Sequence, residues 1–256
     1  MTRQIPNIFT LLNLFFGCMA IIACMQSALT ILPDAGGQQV IEIPERIYWA
    51  SIYIGVAALI DFLDGFLARA LKASSELGKQ LDSLADVVSF GVAPGMIIYQ
   101  FLRVSYAQQP DGLDIPMIWL LPAFVVPCAA AYRLGRFNID PSQATEFKGL
   151  PVPAAGLLIA SFPLIYWFSN MPGVIALLRN NWFWYGIVLL TSYLMVSTLP
   201  MMALKFSGMT RKKTIFFGII AITAIAGGIL FQWLAVPAAF AMYIILSLIY
   251  KSSPAS

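Results

Sequence analysis

The chain has 256 residues, of which 60% are hydrophobic and 11% are charged, with a formal net charge of +3. Soluble domains carry roughly 25% charged residues, so this composition indicates a protein of the lipid bilayer. The chain contains no histidine, which excludes histidine-dependent zinc sites, histidine general bases and phosphohistidine intermediates. Its basic residues form no single patch, so we expect no nucleic-acid partner. Any chemistry must therefore depend on carboxylates.

Apolar runs recur along the whole chain, and a membrane span needs about 20 mostly apolar residues. Between polar breaks, the first six runs cover residues 6–27, 46–71, 78–106, 116–137, 151–169 and 181–200. Two more spans fit within residues 213–250, with the turn between them expected at Gly227-Gly228. The sequence therefore predicts an all-α integral membrane protein with about eight transmembrane helices, and seven is the alternative count.

The positions of the basic residues predict the orientation. When eight spans are laid out with both termini on one side, all but three of the 15 lysines and arginines fall on that side. The three on the other side are Arg46, Arg103 and Arg179. Because cytoplasmic loops of membrane proteins are enriched in lysine and arginine, both termini are expected in the cytoplasm.

The second and third predicted spans carry four aspartates. Asp61 and Asp64 lie at positions i and i+3 of the second span, and Asp82 and Asp86 lie at i and i+4 of the third. Each pair therefore shares one face of its helix. Because a short basic turn joins the two antiparallel spans, we expect the four carboxylates to converge near the cytoplasmic face.

Ionised aspartates inside a span are costly, at about 2.5 to 3.5 kcal/mol each, so four would cost on the order of 10 kcal/mol. Neither span has a basic residue within its apolar part that could offset this cost. Divalent cations are the natural compensators, and an all-oxygen site suits magnesium or manganese. Two such ions could neutralise a diphosphate and organise in-line attack by a hydroxyl, with one carboxylate as base.

Intramembrane acids also mark ion pathways and interhelical polar contacts, so helical spacing alone leaves a cation transporter open. The complete pattern is more specific, because it fixes eight residues as D-x-x-D-G-x-x-A-R-x8-G-x-x-x-D-x-x-x-D between Asp61 and Asp86. This pattern resembles the signature of the CDP-alcohol phosphotransferase family. Members of that family are integral membrane enzymes that transfer a phospho-group from a CDP-linked donor to an acceptor hydroxyl and release CMP.

The resemblance implies a role for each residue of the signature. Asp61, Asp64 and Asp82 would bind the metal ions, and Asp86 would be both a ligand and the general base. Two residues of the first span, Asn7 and Thr10, share a helix face near the cytoplasm and could hydrogen-bond the CDP group. The expected CDP-binding residues are then Asn7, Thr10, Asp64, Gly65, Ala68, Arg69 and Gly78.

In this family, a core of six helices forms the enzyme, which works as a homodimer. The resemblance therefore also implies how this chain divides into parts. Residues 1–200 are expected to form the six-helix catalytic membrane domain. Residues 201–256 would then add two C-terminal transmembrane helices and a short tail.

Further stretches favour one branch of the family; they cover residues 5–13, 89–94, 133–138 and 147–153. Together they resemble the CDP-diacylglycerol-serine phosphatidyltransferase branch. That likeness implies CDP-diacylglycerol and L-serine as substrates, membrane lipids as surroundings, and the bacterial inner membrane as the location. The alternative is a related enzyme with glycerol 3-phosphate or an inositol phosphate as acceptor, which would call for a denser cationic pocket.

A serine pocket must hold a carboxylate and an ammonium group. Arg133, Arg136 and Lys148 are the cations available for the carboxylate, although the positive-inside rule alone would also explain their presence. Ser89 lies three residues after Asp86 on nearly the same face, so it could line the acceptor site or simply pack between helices.

Overall fold

The computed structural model describes residues 4–27, 29–33, 39–71, 75–109, 112–140, 148–201 and 211–252. Within these residues the chain is built almost entirely of α-helices, which confirms the predicted fold class. The helices are α1 (Ile5–Gln26), α2 (Tyr48–Ala70), α3 (Glu76–Asp86), α4 (Ala93–Ala107), α5 (Val125–Ile139), α6 (Val152–Phe168), α7 (Pro172–Leu178), α8 (Asn181–Val196), α9 (Arg211–Phe231) and α10 (Ala235–Ser252).

Four helical stretches of the described residues are long and apolar enough to cross a bilayer, so this is a multi-pass membrane protein. They are Pro6–Gln26, Glu45–Ala70, Glu76–Ala107 and Thr214–Ile249, the last of which contains most of α9 and α10 and the short turn between them. A fifth is added if α7 and α8, which are bent by 71°, count as one broken span. Helices α5 and α6 are shorter, with 15 and 17 residues. Eight separate spans stay a prediction.

A short β-hairpin lies between α1 and α2, which the apolar pattern did not predict. Its strands β1 (Thr30–Pro33) and β2 (Gln39–Glu42) are antiparallel, and Thr30 pairs with Glu42. Strands of four residues carry too little periodicity to be recognised in an apolar sequence. The hairpin leads into a 3-10 turn, Glu45–Ile47, and then directly into α2.

The predicted turn at Gly227-Gly228 was wrong, because the chain turns between α9 and α10 at Gln232–Leu234. Gln232 takes a positive φ of 52° there. Gly227 lies inside α9 instead, where a Cβ would be 3.1 Å from the Cβ of Ala235. This glycine therefore serves close helix packing, a common use of small residues in membranes.

The core lies where α4, α6 and α8 meet the segment that joins α3 to α4. Phe101 of α4 stacks on Trp184 of α8 with ring centroids 4.6 Å apart. The indole of Trp184 donates from Nε1 to the Leu178 carbonyl at 2.8 Å, so its polar atom is satisfied in the core. Phe90 is fully buried against α6. This packing holds the end of α3 in place.

Gly156 marks the closest approach of α6 to Phe90. A Cβ at this position would lie 2.8 Å from the Phe90 Cβ and 3.0 Å from its Cα. Because backbone cannot move aside as a flexible side chain would, Gly156→Ala should destabilise the protein by about 1 to 3 kcal/mol. Thermal unfolding in detergent should show a lower Tm. Gly186→Ala, where a Cβ meets nothing within 4 Å, should cause no such loss, and an equal loss in both variants would contradict the packing argument.

Candidate metal and nucleotide site

The start of α3 is fixed by a capping interaction. Ser75 adopts an extended conformation and its Oγ accepts a hydrogen bond from the Gly78 amide at 3.0 Å. Glu76 in the first turn is also favourable at the positive end of the helix dipole. The cap sets the register in which Asp82 and Asp86 follow along the helix.

The structure brings the four aspartates together. One carboxylate oxygen each from Asp61, Asp64 and Asp82 lies within 4.8 Å of the others. The Asp61 carboxyl also interacts directly with that of Asp86. Asp64 and Asp86 are only 5% and 6% exposed. The result is a dense, largely buried cluster of oxygen ligands that could hold a divalent cation.

Helix α1 packs against this cluster and hydrogen-bonds two of its carboxylates. The Thr10 hydroxyl donates to Asp64 Oδ2 at 2.8 Å, and Asn13 Nδ2 donates to Asp86 Oδ1 at 3.4 Å. Thr10 was expected at the site, whereas Asn13 was not assigned a role. Its signal in the sequence was the three-residue spacing of polar side chains that starts at Asn7 and runs along one side of an otherwise apolar helix.

A cavity of about 530 Å³ opens beside the carboxylates between α1, α2 and α3. Arg69 is exposed at its edge, with Nη1 3.6 Å from the place where a Gly65 Cβ would lie. The other expected CDP-binding residues all line the cavity: Asn7, Thr10, Asp64, Gly65, Ala68 and Gly78.

A larger open depression of about 990 Å³ lies elsewhere, around Arg179 and the start of α8. Its lining is mostly amides and hydroxyls, such as Gln108 and Asn181, and includes no carboxylate among the described residues. It therefore lacks the ligands for a divalent cation. The smaller cavity is the candidate functional site.

The chain leaves α3 through a π-helical segment, Val87–Val92, directly after Asp86. Such segments are often found at functional sites. Ser89 lies in it, fully buried, and its Oγ donates to the backbone carbonyl of Asn13 at 3.0 Å. Ser89 thus faces α1, as Asp86 does, and fixes the backbone beside the cluster. Direct contact between Ser89 and an acceptor stays a prediction.

The three cations expected at the acceptor site have different surroundings. Arg133 is 4% exposed and close enough to Asp86 to interact with it electrostatically. Arg136 donates from Nη1 to the Val196 carbonyl at 2.8 Å and from Nη2 to the Ser197 carbonyl at 3.0 Å, so it binds the C-terminal end of α8. The backbone of Lys148 forms an isolated bridge with Pro200. Their roles in acceptor binding stay predictions.

Helix α10 adds a residue that the sequence analysis missed. Tyr243 is buried, interacts electrostatically with Arg133 and hydrogen-bonds with Ser247 one turn further on. The i, i+4 spacing of these two polar residues in an apolar helix was the available signal. The last helix therefore borders the site on the side of Arg133.

The sequence model of the CDP-alcohol phosphatidyltransferase family matches residues 3–178, a stretch that contains the carboxylate cluster and the cavity. The match extends over more than half of the chain. This protein therefore belongs to the CDP-alcohol phosphatidyltransferase family, which confirms the resemblance drawn from the aspartate signature.

Individual relatives point to one branch of that family. The chain is 36% identical to the CDP-diacylglycerol--serine O-phosphatidyltransferase of Bacillus subtilis over 121 residues, 47% of this chain and 63% of that protein. It is 34% identical to the Saccharomyces cerevisiae protein of the same name over 165 residues, 61% of this chain and 52% of the relative. The archaetidylserine synthase of Methanothermobacter thermautotrophicus is 30% identical over 169 residues, 65% of this chain and 60% of that protein. The chain thus spans less than two thirds of each of these relatives.

Proposed function

We propose that this protein is a phosphatidylserine synthase, which transfers the phosphatidyl group from CDP-diacylglycerol to the hydroxyl of L-serine and releases CMP. The observation that carries the proposal is the convergence of four aspartates beside a cavity of about 530 Å³. The names of the bacterial, yeast and archaeal relatives support serine as the acceptor.

The cavity suits the CDP group of the donor. Gly65 and Ala68 carry little side-chain bulk, so the nucleotide can approach α2 closely. Arg69 lies at the edge, where its guanidinium can bind a phosphate oxygen. Asn7 and Thr10 offer polar atoms from α1 on the opposite wall. The diacylglycerol chains would remain in the surrounding lipid, so the donor would enter laterally from the inner leaflet.

The donor set fits a hard divalent cation. Its ligands are all carboxylate oxygens, and three of them lie within 4.8 Å of one another. We assign Mg²⁺ or Mn²⁺ to this site, as two ions held by Asp61, Asp64, Asp82 and Asp86. When bound, such ions neutralise the diphosphate and the leaving CMP.

We infer that Asp86 acts as the general base. It removes the proton from the serine hydroxyl, whose oxygen then attacks the phosphorus attached to diacylglycerol, and the bond from that phosphorus to CMP breaks. Arg133 lies near Asp86 and can bind the serine carboxylate. Direct displacement is expected because a chain without histidine cannot form a phosphohistidine intermediate.

We place the site and both termini on the cytoplasmic side of a bacterial inner membrane. On the side of the site, Lys79 Nζ donates to the Asn138 carbonyl at 2.9 Å and Arg136 binds the end of α8, so basic residues gather there. At the opposite helix ends Arg179 forms an ion pair with Glu42. Three of the basic residues used for the orientation, Arg3, Lys72 and Lys205, lie outside the described residues.

Two features of the assembly are also part of the proposal. The family resemblance implies a homodimer. The division at residue 200 stays a prediction, because the family match already ends at residue 178, before α8. The contact of Tyr243 with Arg133 indicates that the added helices still border the catalytic domain.

The test is CMP release from CDP-diacylglycerol by purified protein in detergent with Mg²⁺ or Mn²⁺. We expect release to require L-serine and metal, and the lipid product to be phosphatidylserine. Parallel reactions contain glycerol 3-phosphate, an inositol phosphate or no acceptor. Release with one of the phosphorylated acceptors would reject serine but retain the family chemistry. No release with any acceptor would reject the enzyme and favour a cation transporter.

A further inference from the structure

Asn13 lies at the buried junction of α1 with the end of α3. Its side chain is 0% exposed and its Nδ2 donates to Asp86 Oδ1 at 3.4 Å. With this hydrogen bond the amide turns its Nδ2 towards Asp86 and its Oδ1 away from it. That Oδ1 has no hydrogen-bond partner among the described residues. Since an unsatisfied buried acceptor is costly, its presence beside the proposed base indicates a ligand that donates to it.

The backbone holds this amide in place. Ser89 Oγ donates to the Asn13 carbonyl, which ties α1 to the π-helical segment after Asp86. Gly17, one turn further along α1, leaves the space that this contact needs, because a Cβ there would lie 2.4 Å from Ser89 Oγ. The backbone at Asn13 is therefore fixed against the segment that follows Asp86, and the side chain is held by its bond to Asp86.

We propose that Asn13 selects an acceptor that carries an ammonium group next to its hydroxyl. Asn13 Oδ1 accepts a hydrogen bond from the ammonium, while Nδ2 orients Asp86 towards the hydroxyl. The inference rests on the proposed function and deepens it. In serine the two groups are on adjacent carbons, so they can reach the neighbouring acceptors Asn13 Oδ1 and Asp86 together.

The same geometry explains why the phosphorylated acceptors would be poor. Glycerol 3-phosphate and inositol phosphate have no ammonium group, so they would leave Asn13 Oδ1 unsatisfied. A site built to hydrogen-bond one substrate group discriminates strongly against an analogue that lacks it. Arg133 complements this selection from the other side, because it can bind the carboxylate of the same acceptor.

The experiment compares L-serine with 3-hydroxypropanoate, which is serine without its amino group, in wild-type protein and in Asn13→Leu. We expect wild type to favour serine in kcat/KM by at least about tenfold. In Asn13→Leu this preference should fall to about threefold or less, with an unchanged KM for CDP-diacylglycerol. Loss of the Nδ2 contact to Asp86 slows both acceptors alike, so the ratio between them isolates the role of Oδ1.

Two further variants separate this role from a structural one. Asn13→Asp retains an acceptor oxygen, so it should be slower with both acceptors yet keep the preference for serine. Gln100→Leu removes another buried amide that binds α1, at the Cys24 carbonyl 2.6 Å away, and should keep the wild-type preference. A preference for serine that persists in Asn13→Leu would overturn the proposal, as would equal use of both acceptors by wild type. Absence of any serine-dependent release in wild type would instead reject the proposed function itself.

Discussion

Asp86→Asn should abolish serine-dependent CMP release while leaving the protein inserted and folded. An amide cannot take the proton from the serine hydroxyl, and a positioned general base contributes about 10² to 10⁴-fold to rate. The loss should reach the upper end of this range, because the same change also removes one oxygen ligand from the carboxylate cluster. The substitution conserves side-chain volume at a position that is 6% exposed, so packing against α1 should survive.

The matched control for this variant is Asp114→Asn. Asp114 is exposed in the turn after α4, outside the carboxylate cluster, so its substitution should leave CMP release unchanged. Size-exclusion profiles and thermal unfolding in detergent should be the same for both variants and wild type. If Asp86→Asn retained more than a tenth of wild-type turnover, another group would have to act as the base.

The site was predictable where its residues lie close together in the sequence. The aspartates of α2 and those of α3 share helix faces through i, i+3 and i, i+4 spacing, and periodicity reveals such faces. The lengths of α1 and α2 were predictable too, because a bilayer imposes a minimum apolar length. The carboxylate cluster follows from this spacing and the short turn between α2 and α3, whereas the lining of the cavity was expected from the family resemblance.

Contacts between distant helices were not predictable. Asn13 and Asp86 are 73 positions apart, and their hydrogen bond exists because α1 packs beside α3. Arg136 was expected at the acceptor site from its charge, and its hydrogen bond to the end of α8, 60 positions away, was not predictable. No spacing in the sequence specifies either partner. Such contacts depend on how whole helices pack.

The turn between the last two helices shows a related difficulty. Two adjacent glycines in an apolar run indicate either a turn or close helix packing, and the sequence contains no further signal to decide. In the structure Gly227 packs against Ala235, while Gln232 adopts the positive φ that a glycine would adopt more readily. Gly227 therefore allows α9 and α10 to pack closely and does not form the turn between them.

Removal of divalent cations should abolish CMP release, and Mg²⁺ or Mn²⁺ should restore it. Three carboxylate oxygens within 4.8 Å of one another repel strongly when they are ionised and no cation is bound. Bound cation should therefore also stabilise the fold, by about 2.7 kcal/mol at a concentration 100 times its Kd. Thermal unfolding with and without chelator measures this gain without any turnover.

Asp61→Asn tests this prediction through the direction in which its Tm differs from that of wild type. The variant removes one charge from the centre of the cluster, where Asp61 interacts with both Asp82 and Asp86. In chelator its Tm should equal or exceed that of wild type, because repulsion is relieved. With Mg²⁺ the order should reverse, because the variant has lost a ligand. Glu45→Gln, an exposed carboxylate in the turn before α2, should follow wild type in both conditions. A metal-dependent increase in Tm as large in Asp61→Asn as in wild type would show that the cations bind elsewhere.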